Sequence, residues 1–178
     1  MARSPIDTEV LNCRNKSVCL HLYNFYCFPS IRSSIFQVLS NNEYPVGYHH
    51  FERPPFNVLF RDKGDGKEFV ASGLHAKADH AVTEIDRMTE VYSFIETTLG
   101  TSNVVLMGDF NADCSYVGSG DWSSIRLWTD SRFNWLIDNY ADTTVSNITN
   151  CAYDRSVYTQ SYRLRNHLKS ERATIIKR

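Results

Sequence analysis

The 178-residue chain contains no apolar run approaching the roughly 18 residues that span a bilayer. Its opening stretch, "MARSPIDTEV", lacks the apolar centre of a secretory leader, so no signal peptide is visible and no membrane partner is expected. Charge of one sign is not in excess either. Nineteen Lys and Arg stand against 20 Asp and Glu, a net charge of −1. That excludes a global basic field as the source of nucleic-acid affinity and leaves only local patches. No two cysteines form a CxxC pair, which argues against a zinc knuckle. Internal repeats and low-complexity linkers are missing as well. With 42% hydrophobic and 22% charged residues, the chain has the composition of one globular domain with a sizeable core.

Several periodic segments are present. "FNVLF" (56–60) and "EFVASGLH" (68–75) flank the Gly-rich turn "DKGDGK" (62–67), the pattern of a β-hairpin. Ala81, Ile85, Met88, Val91, Tyr92, Ile95 and Leu99 then recur at spacings of three and four, predicting an amphipathic helix over 79–99 that ends near Gly100. Asp79 is the expected N-cap. "NVVLM" (103–107) reads as a buried strand, "SSIRLW" as a strand or helical turn, "FNWLID" as a short helix and "CAYDRSVY" as a strand. "VCLHLYNFYCF" (18–28) is apolar without a clean period and reads as a strand or a helix. The order implies an α/β or α+β core.

"LMGDFNADCS" (106–115) places Asp109, Asn111 and Asp113 directly behind that buried strand. A strand-end turn explains such residues, and so does a site at the carboxyl end of a sheet strand. His75 and Asp154 also fall at strand ends, each of which taken alone has an ordinary structural reading. Brought to one sheet edge, an imidazole, carboxylates and an amide would suit phosphodiester hydrolysis. Carboxylates hold Mg2+ or Ca2+, the amide orients oxygens and the histidine moves a proton. Cys114 and Cys151 flank these clusters, and whether they are free thiols or a bridge stays open on composition; the other cysteines are Cys13, Cys19 and Cys27. "NKS" at Asn15 and "NIT" at Asn147 are glycosylation sequons.

"VVLMGDFNADCSYV", "DWSSIRLWTDSRFNWLIDNYADTT" and "TNCAYDRSV" occur in order, and together they resemble the deoxyribonuclease I family of the endonuclease/exonuclease/phosphatase superfamily. The resemblance covers about residues 48–157. It implies an α+β fold, the four-layer αββα sandwich. Residues 1–47 are then a divergent N-terminal segment and 158–178 a basic C-terminal tail, so the partner sheet is expected to lack its opening and closing strands and to leave an apolar face uncovered.

Residue by residue, the resemblance implies catalytic roles for His75, Asp109, Asn111 and Asp154. It implies DNA contacts for Arg53, Tyr116 and Arg126, and metal ligation by Asp109 and Asp154. A structural calcium loop is implied at Asp142 and Thr144, and a disulfide between Cys114 and Cys151. The implied activity is a metal-dependent endonuclease acting on double-stranded DNA with Mg2+ and Ca2+, in a secreted protein. The family's metal-holding glutamate and the histidine of its closing "SDH" motif have no match here; His167 stands in a different context. An actin-binding segment is likewise unmatched, so actin is not expected as a partner. The alternative is an impaired family member acting as a weak DNA- or protein-binding module.

Overall fold

A computed structural model of the chain describes residues 10–13, 17–22, 26–27, 31–32, 34–45, 51–145 and 148–159. The sequons at Asn15 and Asn147, His167 and the tail beyond Thr159 lie outside the described residues. Four short strands, β1 (Val10–Cys13), β2 (Ser17–Leu22), β3 (Tyr26–Cys27) and β4 (Ile31–Arg32), form one sheet in which β2 pairs with each of the other three. The described parts of the apolar 18–28 segment, residues 18–22 and 26–27, are therefore strands. Six further strands form the main sheet: β5 (Phe36–Glu43), β6 (Phe56–Asp62), β7 (Glu68–Gly73), β8 (Val104–Asp109), β9 (Phe133–Trp135) and β10 (Asp154–Thr159), in the order β5-β6-β7-β8-β10-β9.

β6 and β7 form the expected antiparallel hairpin. β7 and β8 run parallel, joined by helix α1 (Ala81–Leu99). The helix follows a 3-10 turn at Ala78–His80. Its N-cap position is His80, not the expected Asp79, and no side chain caps it. Gly100 ends it in the left-handed conformation, φ 67°. Helix α2 (Arg126–Thr129) is one turn. "FNWLID" is not a helix, because Phe133–Trp135 pairs with β10 and three residues cannot establish a helical period against that ladder.

The sheet begins at Phe36, ahead of the expected start at 48, and β5 pairs with β6 along its length. One face buries Leu59, Val70, Leu106 and Val157 under Ile85, Met88, Val91 and Ile95 of α1. The other face carries a second cluster, Phe56, Val58, Phe60 and Ala71, with Phe36, Phe69 and Met107 packed against it. Val58 and Phe60 are fully buried. The expectation of an uncovered apolar face is thereby corrected: these side chains are removed from solvent, as their size favours. The architecture is α+β.

Candidate active site

Strand register builds the site. In the parallel β7–β8 ladder Ala71 lies beside Val105 and Gly73 beside Met107. The ladder continues past the strand end, with Leu74 N–H donating to the Met107 carbonyl at 3.0 Å and Ala76 N–H to the Asp109 carbonyl at 2.9 Å. That continuation sets His75 level with Asp109, two residues beyond Gly73 and Met107 on the same face. On the other side of β8, Asp154 is the direct antiparallel partner of Asp109. Three neighbouring strands thus deliver an imidazole and two carboxylates to one edge. The His75 Nε2–Asp109 Oδ2 distance is 3.8 Å.

The tight approach of β7 and β8 depends on Gly108. Its φ is +134°, and a Cβ there would lie 2.1 Å from the Leu74 carbonyl oxygen. The electrostatics follow from the crowding. Partial burial, then the adjacent Asp109 charge, push the Asp154 carboxyl above its ordinary 3.8, while His75 opposes them. Two carboxylates facing one another in this way form a donor set that a divalent cation would satisfy. Among the described residues no group of three or more His, Cys, Asp or Glu is placed to hold a metal ion.

The loop that carries His75 is held by the residues around it. Arg53 Nη1 donates to the His75 carbonyl at 3.0 Å, and Asn111 Nδ2 donates to the Ala76 carbonyl at 2.8 Å. Asn111 does not continue the strand as an alternating residue. It is left-handed, φ 49°, with its N–H donated to Asp109 Oδ1 at 3.0 Å. Phe110 between them is fully buried, as the alternation predicts. Asp113 is not the solvated residue that turn chemistry suggests. Its carboxylate is half-buried and accepts the N–H groups of Cys114 and Ala152, both at 2.7 Å. The same junction carries the Cys114–Cys151 disulfide, Cα atoms 5.9 Å apart, so the "GDFNAD" loop and the start of β10 are joined twice.

Arg155, also missed in the sequence reading, is 1% exposed. It donates to the carbonyls of Ala112 at 2.7 Å and Ile137 at 2.9 Å, and lies 5.5 and 5.6 Å from the ring centroids of Trp122 and Trp135. Burial pushes its guanidinium down to about 10, so it stays charged at neutral pH. An arginine beside an aspartate gives no sign in sequence that it points inward.

The remaining predicted residues are placed apart. Tyr116 is exposed, its ring 5.5 Å from that of Tyr153, the residue before Asp154. Arg126 stands at α2 and binds Asp86 through Nε at 2.9 Å and Nη2 at 2.7 Å, and Glu90 at 3.0 Å. Asp142 Oδ1 accepts both the hydroxyl of Thr144 at 2.7 Å and its backbone N–H at 3.0 Å, and the Thr144 hydroxyl also meets the Thr149 carbonyl at 3.0 Å.

The fold is shared with solved structures too distant to say more: an endonuclease/exonuclease/phosphatase from Bacteroides vulgatus (TM-score 0.52, 18% identity, 74% of this chain and 57% of that one) and a mannosyl-6-phosphatase of Bacteroides thetaiotaomicron (TM-score 0.53, 14% identity, 74% and 56%). Residues 13–171 match the Endonuclease/Exonuclease/phosphatase family, and the chain belongs to that family. Within it, the chain is 48% identical over 114 residues to human Deoxyribonuclease-1 (64% of this chain, 40% of that protein) and 42% identical over 145 residues to Deoxyribonuclease-1-like 2 of Mus musculus (81% and 51%). It spans about half the length of these relatives or less.

Proposed function

We propose that this site is that of a divalent-metal-assisted endonuclease hydrolysing the phosphodiester bonds of double-stranded DNA. The observation that carries the reading is the register that sets His75, Asp109 and Asp154 side by side on three adjacent strands, in a chain similar to named deoxyribonucleases. Asp109 and Asp154 would hold Mg2+, which when bound neutralises the phosphate and favours attack by water. His75 takes up or delivers the proton at Nε2, the atom that faces Asp109. Arg53 and Asn111 donate to the consecutive carbonyls of His75 and Ala76 and so hold the imidazole in place. Exposed Tyr116 offers a flat surface for DNA beside the carboxylates, and Arg126 contributes there only by releasing its acidic partners. The Asp142–Thr144 turn has the oxygen chemistry of a calcium loop. The disulfide supports a secreted protein.

Plasmid nicking by the purified chain in magnesium plus calcium tests the reading. Chelator-sensitive nicking that His75→Ala removes supports it. A chain that binds DNA without cutting it, with or without metal, turns it into the binding-module reading.

A further inference from the structure

One buried acid plays no part in the mechanism above. Glu84, in the first turn of α1, is fully buried. Its Oε1 accepts the backbone N–H of Glu52 at 2.9 Å and its Oε2 the backbone N–H of Lys77 at 3.2 Å. Glu52 immediately precedes Arg53, whose guanidinium holds the His75 carbonyl; Lys77 lies two residues after His75. A closed circuit results: Glu84 to Glu52, Arg53 to His75, and Lys77 back to Glu84. Outside it, Lys77 Nζ and Glu52 Oε2 pair at 3.3 Å and join the same two loops at the surface.

A buried carboxylate is costly unless its oxygens are satisfied. Burial raises the Glu84 carboxyl above its ordinary 4.5, and the two amide bonds work against that rise. An apolar residue at this helix position would fill the space without that cost. It could not accept N–H groups from two loops at once.

We propose that Glu84 is a positioning residue: its two oxygens bolt residues 52 and 77 together and thereby set where His75 stands relative to Asp109. The inference rests on the nuclease reading for its kinetic consequence, and its structural consequence can be measured without it. Glu84→Gln keeps the shape but turns an NH2 group toward one of the two backbone N–H groups. Glu84→Asp keeps both acceptor oxygens on a stem one carbon shorter.

The test compares the intact chain with both variants by amide hydrogen exchange at Glu52 and Lys77, by the His75 imidazole proton resonance at fixed pH, and by nicking kinetics. In Glu84→Gln, at least one of the two amides should exchange about fivefold faster, as loss of one hydrogen bond implies. The His75 resonance should move, and kcat should fall about 10- to 100-fold with little change in KM, the cost of a misplaced group. Glu84→Asp should recover part of each effect, and carries the comparison alone if Glu84→Gln does not fold. Unchanged exchange and an unmoved His75 resonance in folded variants would overturn the proposal, and so would loosened amides with kcat intact. If the amides loosen and the resonance moves while the unaltered chain cuts no DNA, the bolt stands and the nuclease reading fails.

Discussion

Two polar regions of this molecule use the same kinds of residue to opposite ends. In the groove between α1 and α2, each charge meets its complement. Arg126 pairs with Asp86 and Glu90, Arg132 with Asp130, and Arg87 with Glu90. Burial alone would raise the Asp86 carboxyl, but the Arg126 bonds reverse it and hold it below its ordinary 3.8. Where β7 and β8 end and β10 begins, two carboxylates instead face each other beside an imidazole, and the Asp154 carboxyl is raised. Matched charge stabilises a fold modestly. Like charges held side by side cost stability, and groups perturbed in this way cluster at functional sites. The carboxylate region is fastened by side-chain-to-backbone hydrogen bonds, donated by Arg53 and Asn111 and accepted by Asp113 and Glu84, and by a disulfide, whereas the groove is held by its own ion pairs.

The largest effect that would break this contrast is on activity. His75→Ala should lower chelator-sensitive plasmid nicking by about 10²–10⁴-fold, whereas Arg126→Ala should lower it far less. Equal losses from both would mean that the paired arginine belongs to the site.

Next is the scaffold beneath the carboxylates. Gly108→Ala must relieve a 2.1 Å approach to the Leu74 carbonyl at a φ of +134°, so a loss of about 4 kcal/mol or more is expected. Thermal unfolding reads it; an unaltered midpoint would mean that β7 and β8 can separate at their carboxyl ends without cost. Reducing the Cys114–Cys151 bond, which links positions 37 apart, should cost about 3–4 kcal/mol in the chain-entropy account. Denaturant titration with and without reductant measures that loss.

Much of this was readable from the residues, for reasons that can be named. The β6–β7 hairpin follows from two apolar runs around a Gly-rich turn, and α1 from a 3.6-residue period that buries one face against the core. β5 was missed because it is a sheet-edge strand: "FQVLSNNE" is mostly exposed and shows no buried face to read. "GDFN" and "CAYDR" were legible as motifs, yet their local geometry was not. Nothing in the residue order says that Asn111 turns left-handed, or that Asp113 bonds across to Ala152. Glu84 was invisible for a different reason. A polar residue on an amphipathic helix reads as part of the solvent face, and only the two amides above α1 make it an interior one.

The smallest effect is also the one that separates the two regions by sign. Asp86 has a carboxyl lowered in the folded state, so its ionised form adds stability above its ordinary 3.8, and that stability is lost as pH falls through the lower folded value. Asp154 has a carboxyl raised in the folded state, so its contribution is present at pH below 3.8 and is lost as pH rises through the higher folded value. In metal-free buffer at pH 7, Asp86→Asn should therefore lower the unfolding midpoint and Asp154→Asn should raise it. Asp86 also accepts the Arg126 backbone N–H at 2.8 Å, so its loss should be about 1 kcal/mol, roughly 2–4 °C in a chain of this size. Asp154 is more open to water than Asp86, and water screens its repulsion from Asp109, so its gain should be smaller, on the order of 1 °C. Adding Mg2+ should stabilise the unaltered chain and should do less for Asp154→Asn, because only the ionised pair rewards a cation. Shifts of the same sign in both variants at pH 7 would show that the sheet end is as well compensated as the groove.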